Sequence, residues 1–294
     1  MANLKAIRIR ISSVKSTRQI TSAMKMVSAA KLRKAQDKIV RLRPYANKLY
    51  EILVGLSQSL SDSEVDNVYG RTSAPEKVLI VVITSNRGLC GAFNTNVIKE
   101  TRRLVAENYN EQLKSGNLRI LTIGKKGYDF FRKQPVKMLP EQNALVNDPV
   151  FDNVSKLAEQ IMKSFVSGEY DRVELVYNQF KNAAVQNLTT ELFLPVQSVT
   201  AETGKVTPVD YIYEPNCEEI VRELIPKSLK IQFYKAILDS FVAEHGARMT
   251  AMHKATDNAT DIIRDLTLQY NKARQASITN QILEVVSGAE ALRG

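Results

Sequence analysis

At 294 residues and 44% hydrophobic content, the chain can hold about two domains with a buried core. Its longest apolar run, Val78 to Ile83, falls far short of the roughly 20 residues that span a bilayer, so no transmembrane segment is expected, and two cysteines, Cys90 and Cys217, are too few for a disulfide framework or metal cluster. The net charge of +10 is concentrated: residues 1–50 carry 13 Lys and Arg against one acid, Asp37, and the remainder is nearly neutral.

The first predicted element is a helix over residues 4–60. Apolar residues fall at alternating steps of three and four, at Leu32, Ala35, Ile39, Leu42, Ala46, Leu49, Leu53, Leu56 and Leu60, the spacing of a coiled-coil seam. Pro44 interrupts the helix chemically, yet the spacing continues through Leu42 and Ala46, which places Pro44 away from the seam and predicts a bend. Residues 61–76, rich in Ser, Asp and Asn with Gly70 and Pro75, read as a linker.

From Lys77 the pattern becomes that of an α/β domain, taken as residues 77–210. Strands are expected at Val78–Thr84, Leu118–Ile123, Arg172–Tyr177 and Thr190–Val196, with helices at 93–115, Lys126–Arg132 and Val154–Val166. This alternation implies a mostly parallel, Rossmann-like sheet with flanking helices. Residues 211–294 form the last region, in which a second long helix is expected to begin after Pro226 and run to residue 292. Its seam is Met252, Ala255, Ala259, Ile262, Leu266 and Ala273. A seam of that length needs a partner helix, and the only comparable one is at the other end of the chain, so an antiparallel coiled coil of the two terminal helices is expected. Beyond it, Ile278, Ile282, Val285, Ala289 and Leu292 make a slim apolar tip suited to a greasy sleeve.

The segment Thr84 to Asn94, containing Arg87-Gly88-Leu89-Cys90-Gly91, joins a strand to a helix where phosphates bind in doubly wound folds. It lacks the Lys-Ser/Thr pair of a P-loop and the third glycine of the dinucleotide fingerprint, so it reads as a tight packing turn, as does Gly124-Lys125-Lys126-Gly127. The two histidines, His245 and His253, are eight residues apart on the last helix, which suits neither a helical metal pair nor a catalytic base beside a nucleophile. No catalytic constellation, cofactor or metal is expected. The basic first helix lacks interleaved aromatics, with Tyr45 and Tyr50 only at its far end, which argues against nucleic acid as its partner.

Both ends carry long motifs: Ser13-Val14-Lys15-Ser16-Thr17, Gln19 to Val27 and Ala30-Lys31-Leu32-Arg33 at the start, then Ala247-Arg248-Met249, Ala255 to Ala259, Tyr270 to Thr279 and Glu284 to Ala289. With Arg87 to Gly91 and Asp210-Tyr211-Ile212-Tyr213-Glu214-Pro215, the whole chain resembles the γ subunit of F-type ATP synthases, the central rotor shaft, of bacterial type. The resemblance implies a non-catalytic subunit, one copy per complex, whose coiled coil stands inside a ring of α and β subunits. It implies that the α/β domain forms a foot on an ε-type subunit and the membrane c-ring, on the cytoplasmic side of the inner membrane. It assigns Met24, Lys25, Arg274, Gln275, Thr279 and Gln281 to contacts with β subunits, and residues 278–292 to an apolar bearing. Gln281 stands where the family usually has glutamate, which removes a charge there.

Overall fold

The computed structural model describes residues 4–59, 68–70, 74–196 and 217–292. In chain order the elements are α1 (Leu4–Ser59), β1 (Val78–Ile83), α2 (Phe93–Asn108), α3 (Asn110–Ser115), β2 (Leu118–Ile123), α4 (Lys125–Phe131) and β3 (Lys137–Met138). A 3-10 turn (Asn143–Val146), α5 (Phe151–Val166), β4 (Arg172–Phe180), β5 (Gln186–Leu194) and α6 (Cys217–Ala291) complete it. By internal contacts the chain divides into two compact units, Met1–Ser28 with Met249–Gly294, and Ala29–Arg248.

The first unit is an antiparallel helix pair. Arg8 donates to the Tyr270 hydroxyl at 2.8 Å, Thr21 and Thr256 share a hydrogen bond at 2.8 Å, and Lys25 Nζ lies 3.5 Å from His253 Nδ1. Stepping along α1 from residue 8 to 25 thus steps back along α6 from 270 to 253. Among the less exposed positions, α1 carries the series Leu4, Ile7, Ile11, Val14, Arg18, Thr21, Lys25 and Ser28, and α6 the series Met252, Thr256, Ala259, Ile263, Leu266, Tyr270, Ala273 and Ser277, with Ser22, Met24, Ala251 and Ala255 half-buried beside them. Both series alternate steps of three and four, the 3.5-residue repeat of a coiled coil. Two details differ from expectation. Ile262 is exposed and its neighbour Ile263 takes the seam position, because the helix face is set by the whole repeat and not by side-chain size. The expected α1 seam, Leu32 to Leu60, is not the part of α1 that meets Met252 to Ala273: the partner is the run from Leu4 to Ser28, in which the polar Thr21 and Ser28 are buried, while Leu32, Ala35, Ile39 and Leu49 are buried in the second unit.

The second unit is built on a five-stranded sheet in the order β3-β2-β1-β4-β5. β1 pairs in parallel with β2 (Val78 beside Leu118) and with β4 (Val78 beside Arg172), and β2 pairs in parallel with β3. All six residues of β1 are buried, as a central parallel strand covered on both faces requires. One face packs on α5 and α6 through Val154, Ile161, Phe165, Leu229, Phe233 and Ile237, and the other packs on α2 through Val97, Leu104 and Val105. α1 adds buried Leu32, Ala35, Ile39 and Leu49 to this unit, with Leu42 and Ala46 half-buried between them. Leu53, Leu56 and Leu60 fall outside the described side chains.

The sheet is mostly parallel as expected, and among the described residues its one antiparallel pair is β4 with β5, Tyr177 beside Thr189, joined as a hairpin. Several sequence expectations are corrected. β5 begins four residues earlier than expected and ends at Leu194. The helix expected over 93–115 is two: Tyr109 leaves helical geometry (φ −129°, ψ 26°) and its buried hydroxyl donates to Glu174 on β4. α6 does not start after Pro226 but runs through it from Cys217. The proline removes one helix hydrogen bond, and burial of Ile225 and Leu229 on either side outweighs that loss. Pro44 is exposed, and α1 likewise continues past it. Most of the expected linker, the 210/211 boundary and the motif Asp210 to Pro215 lie outside the described residues.

Candidate functional site

The residues assigned to partner contacts occupy two levels of the helix pair. Met24 and Lys25 are half-buried on α1, with Lys25 facing His253. Arg274, Gln275, Thr279 and Gln281 are exposed on α6, and the Thr279 hydroxyl donates back to the Gln275 carbonyl at 3.0 Å. Arg274 is 21 residues beyond His253, about 30 Å along the helix at 1.5 Å per residue. The two groups therefore form separate surfaces.

The seam of α6 ends at Ser277, which by the antiparallel register lies level with the start of α1. Every residue from Ile278 to Leu292 is exposed. Ile278, Ile282, Val285, Ala289 and Leu292 all fall off the phase of the seam, and exposure reaches 72% at Val285 and 90% at Leu292. Sequence spacing missed Leu283 and Val286, which are also exposed and cover a second face. The adjacent pairs Ile282-Leu283 and Val285-Val286 carry that signal, because consecutive residues on a helix point 100° apart. The end of α6 is thus apolar on more than one side.

In the second unit, the turn after β1 is held to α6. Arg248 is buried, pairs with Glu244 at 2.7 Å, and donates to the carbonyls of Arg87 at 3.0 Å and Gly88 at 3.3 Å. Beneath it, Cys90 and Phe93 pack on Ala243 and Ala247. The turn is braced from the sheet side too. Ser85 N–H donates to Asn94 Oδ1 at 2.9 Å, and Asn86 donates to the Asn143 carbonyl at 2.8 Å and accepts from Lys125 N–H at 2.9 Å. Burial raises the Glu244 carboxyl above its usual range, against the opposing pull of Arg248. Burial, with the nearby cations of Arg248 and Lys31, lowers His245 to about 4, so it is neutral at pH 7. Burial also raises the Cys90 thiol, which makes it a poor nucleophile.

The glycines support close packing in the second turn, Gly124 to Gly127, whereas a Cβ on Gly91 in the first would meet nothing within 4 Å. A Cβ on Gly124 or Gly127 would collide with Thr84, whose hydroxyl accepts from Gly127 N–H at 2.9 Å. Among the described residues no group of three or more His, Cys, Asp or Glu is placed to hold a metal, and no helix is long and apolar enough to cross a membrane.

A family model described as ATP synthase matches residues 3–292. The chain belongs to the ATP synthase γ-chain family. It is 56% identical over 294 residues to the ATP synthase gamma chain of Flavobacterium psychrophilum and 57% identical to that of Flavobacterium johnsoniae, in each case covering all of both chains. Among solved structures, a chain of the central stalk and c-ring of the Tetrahymena thermophila mitochondrial ATP synthase is 26% identical, with a TM-score of 0.56 over 80% of this chain and 99% of that one. A chain of the Euglena gracilis mitochondrial enzyme shares the fold, with a TM-score of 0.66 over 98% of this chain and 94% of that one at 22% identity. These γ chains match this chain over its full length.

Proposed function

We propose that this chain is the central shaft of a proton-translocating ATP synthase, turning with a membrane rotor ring and driving the catalytic β subunits through their nucleotide states without an active site of its own. The observation that carries this reading is the α6 end, a helix exposed and apolar on several sides for 15 residues past its seam, in a chain matched over its full length by γ chains. Exposed apolar surface of that extent is tolerable only inside a surrounding protein. A rod without catalytic groups acts on a reaction by biasing its neighbours' conformational equilibria, and an asymmetric rod biases each neighbour in turn.

In this reading the basic first helix faces acidic loops of the β subunits through Met24 and Lys25, and Arg274, Gln275, Thr279 and Gln281 make a second, higher contact. Ile278, Ile282, Val285, Ala289 and Leu292 turn in an apolar collar of the α and β ring. The sheet unit is the foot, resting on an ε-type subunit and the c-ring at the cytoplasmic face of the bacterial membrane, with one copy per complex. The test is reconstitution. Added to an ATP synthase preparation stripped of its γ subunit, the chain is expected to restore ATP-driven proton pumping, while hydrolysing no ATP alone. Robust hydrolysis by the purified chain, or failure of the full-length chain to restore pumping, would overturn the proposal.

A further inference from the structure

A shaft must be keyed to its foot, or it turns in its seat. Along Ala236–Arg248, α6 is buried on nearly all sides, but the surface it offers the turn after β1 is smooth: Ala243 and Ala247 against Cys90 and Phe93. Small side chains let a helix come close, yet they interlock weakly and resist rotation about the helix axis poorly. Gly246 shows how close the approach is, since a Cβ there would meet the Ala183 Cα at 3.3 Å.

We infer that Arg248, oriented by Glu244, is the positioning residue that keys α6 to the sheet unit and so carries torque between them; the inference rests on the shaft reading above. Its guanidinium stands off the helix axis and reaches two successive carbonyls, Arg87 O at 3.0 Å and Gly88 O at 3.3 Å. Both are reached by Nη2, and Nε also donates to Gly88 O at 3.4 Å, so the planar group is held from two nitrogens and fixes the azimuth of the helix against this turn. The far side of the key does not yield, because Asn86 and Ser85 tie the same turn to Asn143, Lys125 and Asn94. Glu244 and Arg248 are each 8% exposed, so water does not replace the bonds if the arginine is removed. Immediately beyond Arg248, α6 continues as helix to Ala291.

The experiment uses membrane vesicles holding ATP synthase assembled with this chain, measuring hydrolysis and ATP-driven proton uptake on the same sample. If the unaltered chain supports no pumping, the shaft reading itself fails. Given that it does, Arg248→Ala is expected to lower protons pumped per ATP hydrolysed by about threefold or more while hydrolysis per assembled complex stays within about twofold, and Arg248→Lys, which keeps the charge without the fork, is expected to fall between. Should Arg248→Ala not assemble, Glu244→Gln keeps the shape but removes the orienting charge and is expected to lower the same ratio. A wild-type ratio in either variant overturns the inference.

Discussion

Two stretches of α6 meet opposite fates. From Ala236 to Arg248 the helix is buried on nearly every face, among sheet, turns and α1, and it carries Asp239, Glu244, His245 and Arg248 inside. From Ile278 to Leu292 it is exposed on every face, and it carries Ile, Leu and Val outside. The usual assignment of polar residues to the surface and apolar ones to the core is inverted along one helix. Buried charge is tolerable where each group has a fixed partner, and exposed apolar surface is tolerable where another protein supplies the core. The buried stretch is packed within the chain, and on the proposed shaft reading the exposed stretch is half of an interface.

That contrast is open to test by stability. Truncating Phe233, fully buried between sheet and helix, is expected to cost about 3–5 kcal/mol in denaturant unfolding. A loss below about 1 kcal/mol would show that this stretch is not core.

The next effect is on pH dependence. Because His245 titrates at about 4 in the folded chain and near 6.5 when free, the unfolded state takes up its proton first as pH falls. Its stabilising contribution is whole above pH 6.5, declines by roughly 3 kcal/mol between pH 6.5 and 4, and is constant below. Glu244 works the other way, since its raised carboxyl is protonated more readily in the folded chain, and Arg248, Lys31 and Cys90 surround the pair. His245→Asn is expected to flatten the decline over that window, and an unchanged slope would show that His245 is not held neutral.

Leu266→Ala, in the seam of the helix pair, is expected to cost about 2 kcal/mol, less than a core truncation because a two-helix seam collapses more easily around a gap. Smallest of all, Val285→Ser or deletion of residues 289–294 is expected to shift unfolding by no more than about 0.5 kcal/mol while lowering pumping in the assembled complex. A marked loss of stability from either change would mean that the tip is core within the chain, which would erase the comparison.

That the two terminal helices pair antiparallel was legible, but not which part of α1 takes part: the apolar repeat from Leu32 overshadows the run of Leu4 to Ser28, where polar residues such as Thr21 and Ser28 occupy seam positions. The phase of the seam on α6 was less legible: Ile262 and Ile263 are chemically alike, and only the run from Met252 to Ser277 tells them apart. The tip was readable as apolar but not as apolar on two faces, because a search along one spacing passes over Leu283 and Val286. The hairpin of β4 and β5 was hidden because its turn, Lys181 to Val185, lacks an Asn-Gly signature and the outer strand is half-exposed. The Arg248 key was invisible, for it joins a helix to carbonyls some 160 residues away, and no local pattern encodes such a pairing.

The 3.5-residue repeat of the helix pair has a mechanical consequence of its own. A straight helix repeats every 3.6 residues, so two helices that keep a seven-residue seam must wind around each other with a left hand. A left-handed winding is not symmetric under twisting. Torsion of one sense draws the helices tighter against the seam side chains, while torsion of the other sense eases them apart. A shaft wound in this way is stiffer against one direction of rotation than the other, so the chirality of its amino acids reaches the elasticity of the machine.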